Sequence, residues 1–349
     1  MKTILNGIEI KAISSWLPTN VLEMSSLNDI YGEKEVANII KATGIERVRV
    51  ADTDMTSSDM CYNAALHLID QENIDCSEID GLVFVSQTTD YILPATSVIL
   101  QDRLKLNKGT VCIDIHYGCS GYIYGLFQAA MWINCGACKN VLVLAGDTSS
   151  RIINPLDKSI KMVFGDCGTA TLVSKGDCKM GFSINSDGSG YDKLIIPAGG
   201  FRYPSDENTS IVTYDEDNNG RSKNDLYMDG SAIFNFAITE VHKDVNNIIG
   251  LMEWDKSEID LYALHQANNF MVNYVRKKLK VSPDLVPLGV KNYGNTGPAT
   301  IPLLLSDIYS NRSDSNLEKV ILSGFGVGLS WGSVATNLSK TKLYSPVNK

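Results

Sequence analysis

Cys119 stands in Tyr117-Gly-Cys-Ser-Gly-Tyr122, between an apolar run that ends near His116 and a helical pattern that runs from Ser120 to about Asn134. A strand-to-helix elbow of this kind puts the sulfur at a helix N-terminus, whose free N–H groups and dipole stabilise a thiolate and are expected to lower the thiol pKa. Gly118 and Gly121 permit a tight turn and close approach of a substrate. Thiolates attack thioesters and give labile acyl-enzymes, so acyl transfer is the chemistry open to this position. Taken singly, the residue reads better as a buried structural cysteine.

His265 closes a second apolar run in Leu264-His-Gln-Ala-Asn268, with polar residues gathered after a strand as at a strand-end active site. Alone, it reads better as a satisfied core histidine. Asn295 lies in Asn292-Tyr-Gly-Asn-Thr-Gly-Pro298, a constrained turn able to present an amide. The segment Gly324-Phe-Gly-Val-Gly-Leu-Ser-Trp-Gly332 could aim backbone N–H groups at a developing oxyanion; it lacks the phosphate-loop lysine and the dinucleotide spacing. Cys135-Gly-Ala-Cys138 has Cys-X-X-Cys spacing but no second ligand pair, so buried thiols fit it better than a metal, and no metal is expected. His116 is expected to be packed or hydrogen-bonded at its strand end.

Strands and helices must carry these residues to one place. Gly81–Ser86, Val111–His116 and Asn140–Gly146 are apolar, β-rich runs that look like strands buried on both faces. A helix is expected to open at Thr56-Ser-Ser-Asp59, where hydroxyl and carboxylate groups can cap free N–H groups. In the second half, Asp260–His265 and Lys319–Phe325 read as strands, as does Leu329–Ala335, with helices near Phe270–Leu279 and Thr300–Tyr309. The polar stretch from Phe201 to Asp225 reads as an exposed excursion. Alternating elements of this kind imply a layered α/β fold.

The 349 residues, 44% hydrophobic and 20% charged, are ample for a large core. A net charge of -9 argues against nucleic acid or an anionic membrane as partner, since both require a broad basic face. The N-terminal residues hold no apolar stretch long enough for a signal peptide or membrane span, and the scattered cysteines suit reduced thiols. A soluble, cytoplasmic protein is expected.

In series, GCSG, LHQAN, NYGNTG and GFGVGLSWGS resemble the thiolase superfamily, and most closely the condensing enzymes of the β-ketoacyl-acyl carrier protein synthase III type. Thr43-Gly-Ile-Glu-Arg47, Gln87-Thr-Thr-Asp-Tyr91 with Leu93-Pro94, Val163-Phe-Gly-Asp166 and Met228-Asp-Gly230 extend the likeness over nearly the whole chain. The resemblance implies a thiolase-like α-β-α-β-α fold of two similar halves, 1–175 carrying the cysteine and 176–349 the histidine and asparagine.

It also implies that Cys119 accepts the acyl group, that His265 and Asn295 bind the extender's thioester carbonyl and promote decarboxylation, and that backbone N–H groups of Cys119 and of Gly326, Val327 and Gly328 form an oxyanion hole. Arg151, Leu93, Met228, Gly230, Ser231 and Asn268 would bind substrate, and Arg276, Lys277 and Lys278 would dock an acidic carrier protein. Asn38 and Ala42 replace an aromatic and an arginine of the coenzyme A adenine site, Phe270 replaces an arginine, and Val327 a glycine. The expected reaction loads a primer from coenzyme A or a carrier thioester, with no tightly bound cofactor, and condenses it with malonyl-acyl carrier protein in a homodimer. Alternatives on the same scaffold are acyl transfer to an amine or alcohol, and a non-catalytic partner of a heterodimer.

Overall fold

The structure, a computed structural model, describes residues 1–310 and 316–348. Its backbone is organised by a strand the sequence reading passed over, Cys167–Ser186, which pairs antiparallel with another, Lys2–Trp16, along most of its length. The first part of that strand also pairs with Asn140–Asp147 and its last part with Ser330–Thr336. It thereby joins two sets of strands. One continues to Gly81–Val85 and Val111–Ile115, the other to Val320–Gly326 and Leu261–Leu264.

Period-two alternation sorts these strands' side chains into layers. Val83, Val85, Val143, Leu261, Ala263 and Leu322 face a shared interior with the helices Gly121–Asn134 and Thr300–Tyr309. Leu82, Phe84, Leu142 and Leu144 face outward against the helix Ser57–Glu72. On the other side Tyr262, Leu264, Ile321 and Phe325 pack on helices His242–Leu251 and Asn269–Leu279. The result is the five-layered α-β-α-β-α arrangement. Because the central helices are enclosed on both sides, they are nearly all apolar; Tyr122, Ile123, Leu126 and Ile301, Leu304, Leu305 are buried.

The Thr56 signal forms a full capping box, its side chain accepting from Asp59 N while Asp59 accepts from Thr56 N. Two expectations are corrected. Val111–Ile115 is not buried on both faces: among the described residues it is the last strand of the sheet, and Val111 and Ile113 are exposed. The 201–225 excursion is pinned down as well as exposed. Its hairpin of Thr213–Tyr214 with Gly220–Arg221 is held by Arg221 Nη1 to buried Asp157 Oδ2 at 2.8 Å, and Thr209 and Asn219 are buried. Among the described residues no helix is long and apolar enough to cross a membrane.

Candidate active site

Three separate segments deliver the candidate residues to one point. The strand Val111–Ile115 ends just before the elbow, and the helix Gly121–Asn134 begins two residues after Cys119 without a side-chain cap, Gly121 N–H and Ile123 N–H donating back to Gly118 O and Ser120 O. Strand Leu261–Leu264 carries His265, whose N–H donates to Ser323 O at 2.8 Å. The Gly294–Gly297 turn carries Asn295, locked by its own N–H to Val163 O and by Gly165 N–H to its carbonyl. Cys119, His265 and Asn295 are 6%, 1% and 5% exposed.

Each side chain is oriented by a neighbour. Asn295 Oδ1 accepts from Gly297 N at 3.0 Å, which turns the NH2 end toward Cys119, with Nδ2 4.0 Å from Sγ. His265 Nδ1 lies 2.7 Å from Thr300 Oγ1; with that hydroxyl donating to Nδ1, the neutral ring's one hydrogen sits on Nε2, the nitrogen left for the cavity. The Phe325 ring meets the imidazole edge-on at 5.3 Å between centroids. Gly326 lies directly beneath the nucleophile, since a Cβ there would come within 2.7 Å of Cys119 Cβ. Thr300 was not singled out from sequence; its only signal is its position at the start of the helix that follows the Asn295 turn.

Burial sets the protonation states. It pushes His265 down to about 3, so the imidazole is neutral. Burial, with the Asp147 carboxylate adding to it, pushes the Cys119 thiol up to about 12. This corrects the expected lowering: the helix terminus does not outweigh the loss of water, and the resting group is a thiol.

Two chambers meet at the sulfur. One, of about 180 Å³, is lined by His265, Asn295 and Gly326 together with Met228, Gly230, Asn268 and Thr43. The other, of about 300 Å³, is lined by Asp147, Gln87, His116, Tyr191, Leu194 and Val327 among others. Cys119, Phe164 and Leu194 belong to both. His116 is therefore not packed away; it is exposed and contributes to the second chamber's wall, a correction that follows from the uncovered sheet edge.

Other candidates lie apart. Gly328, Leu93, Ser231 and Arg151 line neither chamber. Leu93 is 79% exposed, Ser231 is on the surface, and Arg151 Nη2 donates to Asp52 O at 2.7 Å. Arg276 closes its own helix through Nη1 to Val281 O at 3.1 Å, while Lys277 and Lys278 are exposed. Phe270, where an arginine was expected, stacks on Phe234 at 5.1 Å. Cys135 and Cys138 are unbridged, and no cluster of three metal-binding side chains occurs among the described residues.

The chain is similar to known proteins over nearly its whole length. The profile of 3-oxoacyl-[acyl-carrier-protein] synthase III matches residues 113–188, and that of its C-terminal region matches 251–338. A β-ketoacyl-[acyl-carrier-protein] synthase III of Clostridium kluyveri is 32% identical over 339 residues, 96% of this chain and 100% of that protein. One from Rhodopirellula baltica is 30% identical over 351 residues, 94% of this chain and 97% of that one. A crystal structure of a 3-oxoacyl-(acyl-carrier protein) synthase from Burkholderia xenovorans superposes with a TM-score of 0.93 at 34% identity, covering 100% of this chain and 99% of that one.

Proposed function

The chain belongs to the 3-oxoacyl-acyl carrier protein synthase III family of condensing enzymes, and from that premise we propose a two-step reaction centred on Cys119. In the first step the sulfur attacks an acyl thioester from coenzyme A or a carrier protein; the new S–acyl bond forms as the donor C–S bond breaks. The thiol proton passes to the departing sulfur. Burial holds the thiol up to about 12, so the sulfur rests as a thiol and gives up its proton as it attacks, while the helix N-terminus stabilises charge as it develops.

In the second step malonyl-acyl carrier protein places its thioester carbonyl against His265 Nε2 and Asn295 Nδ2. Loss of CO2 leaves an enolate whose oxygen these neutral donors hold, and its carbon attacks the acyl group on Cys119. Backbone N–H groups at Cys119 and Gly326–Val327 receive the oxygen of the tetrahedral intermediate. Collapse returns the Cys119 sulfur, which is reprotonated, and releases a β-ketoacyl thioester. The chamber lined by Met228, Gly230 and Asn268 takes the carrier arm and the second chamber takes the acyl chain.

The observation that carries this reading is the convergence of a buried thiol, a neutral imidazole and a fixed amide where two chambers join. The exposed edge strand Val111–Ile115, with Ile92 and Leu93 exposed nearby in sequence, supports a homodimer in which Leu93 of one subunit closes the acyl chamber of the other. Lys277 and Lys278 supply positive charge for an acidic carrier. The test is a split of the half-reactions: His265→Ala and Asn295→Ala still load acyl on Cys119 but lose CO2 release from malonyl-carrier protein by about a hundredfold or more. Equal loss of both half-reactions would overturn the assigned roles.

A further inference from the structure

The second chamber contains a buried charge that the condensation does not use. Asp147 ends the strand Asn140–Asp147 and is 2% exposed. Its Oδ1 accepts from Ser86 Oγ and Gln87 N at 2.8 Å, from Thr88 Oγ1 at 3.1 Å and from Thr88 N at 3.2 Å. Its Oδ2 accepts from nothing among the described residues, although Asp147 forms part of the chamber wall beside Cys119. Gly297 leaves that oxygen uncovered, because a Cβ at this position would come within 2.7 Å of it.

A saturated acyl chain lying in this chamber would leave a carboxylate oxygen against hydrocarbon, and burying a polar atom without a partner is costly. At a volume of about 300 Å³ the chamber stands at the small end of ligand-sized sites. Burial raises Asp147 to about 6, which leaves it largely ionised at neutral pH and therefore an acceptor only. The ligand must bring the donor. The same wall presents the Gln87 carboxamide and the His116 imidazole, groups able to donate in return. A hydroxyl can both donate to Asp147 and accept from such neighbours, whereas an ammonium group can only donate.

We propose that the chamber selects a short primer acyl chain bearing a hydroxyl, with Asp147 Oδ2 accepting the hydroxyl's hydrogen bond. This rests on the reading of Cys119 as the acylated residue and goes further by naming the class of acyl group. Asp147 is in that sense a specificity residue, touching the chain and not the reacting carbonyl.

The test times Cys119 acylation by intact mass with butyryl-, 3-hydroxybutyryl-, 4-hydroxybutyryl- and 3-aminobutyryl-coenzyme A at equal, subsaturating concentration. The faster of the two hydroxylated donors is expected to outrun butyryl by about tenfold or more, the scale of a hydrogen bond to a charged group. Asp147→Asn, verified as folded by its thermal transition, is expected to bring that ratio close to one. Equal or faster loading by butyryl, faster loading by the amino donor, or an unchanged ratio in folded Asp147→Asn would overturn the proposal. If the variant does not fold, the wild-type ratio decides alone. Loading of butyryl in preference removes only the hydroxyl assignment; no adduct from any donor, coenzyme A or carrier-linked, removes the Cys119 reading itself.

Discussion

Cys119 lies deeper than an elbow cysteine must, and its chemistry follows from that depth. With its thiol pushed up to about 12, alkylation by iodoacetamide should keep accelerating as pH rises beyond 9, where an ordinary thiol would have levelled off; a plateau near pH 8 would show a thiolate already formed. His265 gives a second expectation. Its folded pKa of about 3 lies below the ordinary value of 6.5, so the unfolded chain takes the proton first and stability falls as pH drops from about 6.5 toward 3. Asp147, raised to about 6, acts in the opposite direction between pH 6 and 4, because there the folded state binds its proton first. Replacing His265 by Gln should therefore flatten the acid side of the stability curve, by about 3 kcal/mol at pH 4, measured as urea midpoints at pH 7 and pH 4. An unchanged slope would contradict a buried neutral imidazole. The residue types and their order were legible in the sequence; the direction of the thiol shift was not, since a short motif around Cys119 carries no information about how much water the folded chain leaves there. Asp147 was illegible for a related reason, its role depending on Gly297 and Gln87, far from it along the chain.

At the scale of elements, the site depends on backbones that approach closely. Strand Cys167–Ser186 passes the helix Ser57–Glu72 so tightly that a Cβ on Gly168 would meet Cys61 N and Met60 C at 2.4 Å, both backbone atoms that cannot swing aside. Gly168→Ala should cost about 1–3 kcal/mol in chemical denaturation, and a neutral result would mean that the helix and strand are less closely seated. Gly326→Ala meets Cys119 Cβ, an atom fixed to the backbone beside the sulfur, so acylation and the thermal transition are both expected to fall. Elements with strong local signals, such as the Thr56 capping box and the apolar helix after Ser120, could be read from sequence. The two long paired strands Lys2–Trp16 and Cys167–Ser186 escaped notice because their residues alternate between faces and carry many serines and threonines, a pattern that resolves only once the partner strand is known.

For the whole molecule, the uncovered strand Val111–Ile115 is the feature a single chain does not explain. Its apolar sequence suggested burial on both faces, and a second copy would supply the missing cover. Light scattering is expected to give twice the 38.2 kDa chain mass, and Ile113→Glu to shift the protein toward monomer; a monomeric wild type would contradict the dimer. The central claim is that one thiol carries an acyl group between two thioesters and that the transfer forms a carbon–carbon bond. It is tested most directly by loading the protein with an acyl donor, removing the excess, adding malonyl-acyl carrier protein and following intact mass. The adduct on Cys119 is predicted to disappear as β-ketoacyl-carrier protein and CO2 appear in equal amounts, with no adduct at all in Cys119→Ala. An adduct that persists through the addition, or a product formed without CO2, would contradict the account.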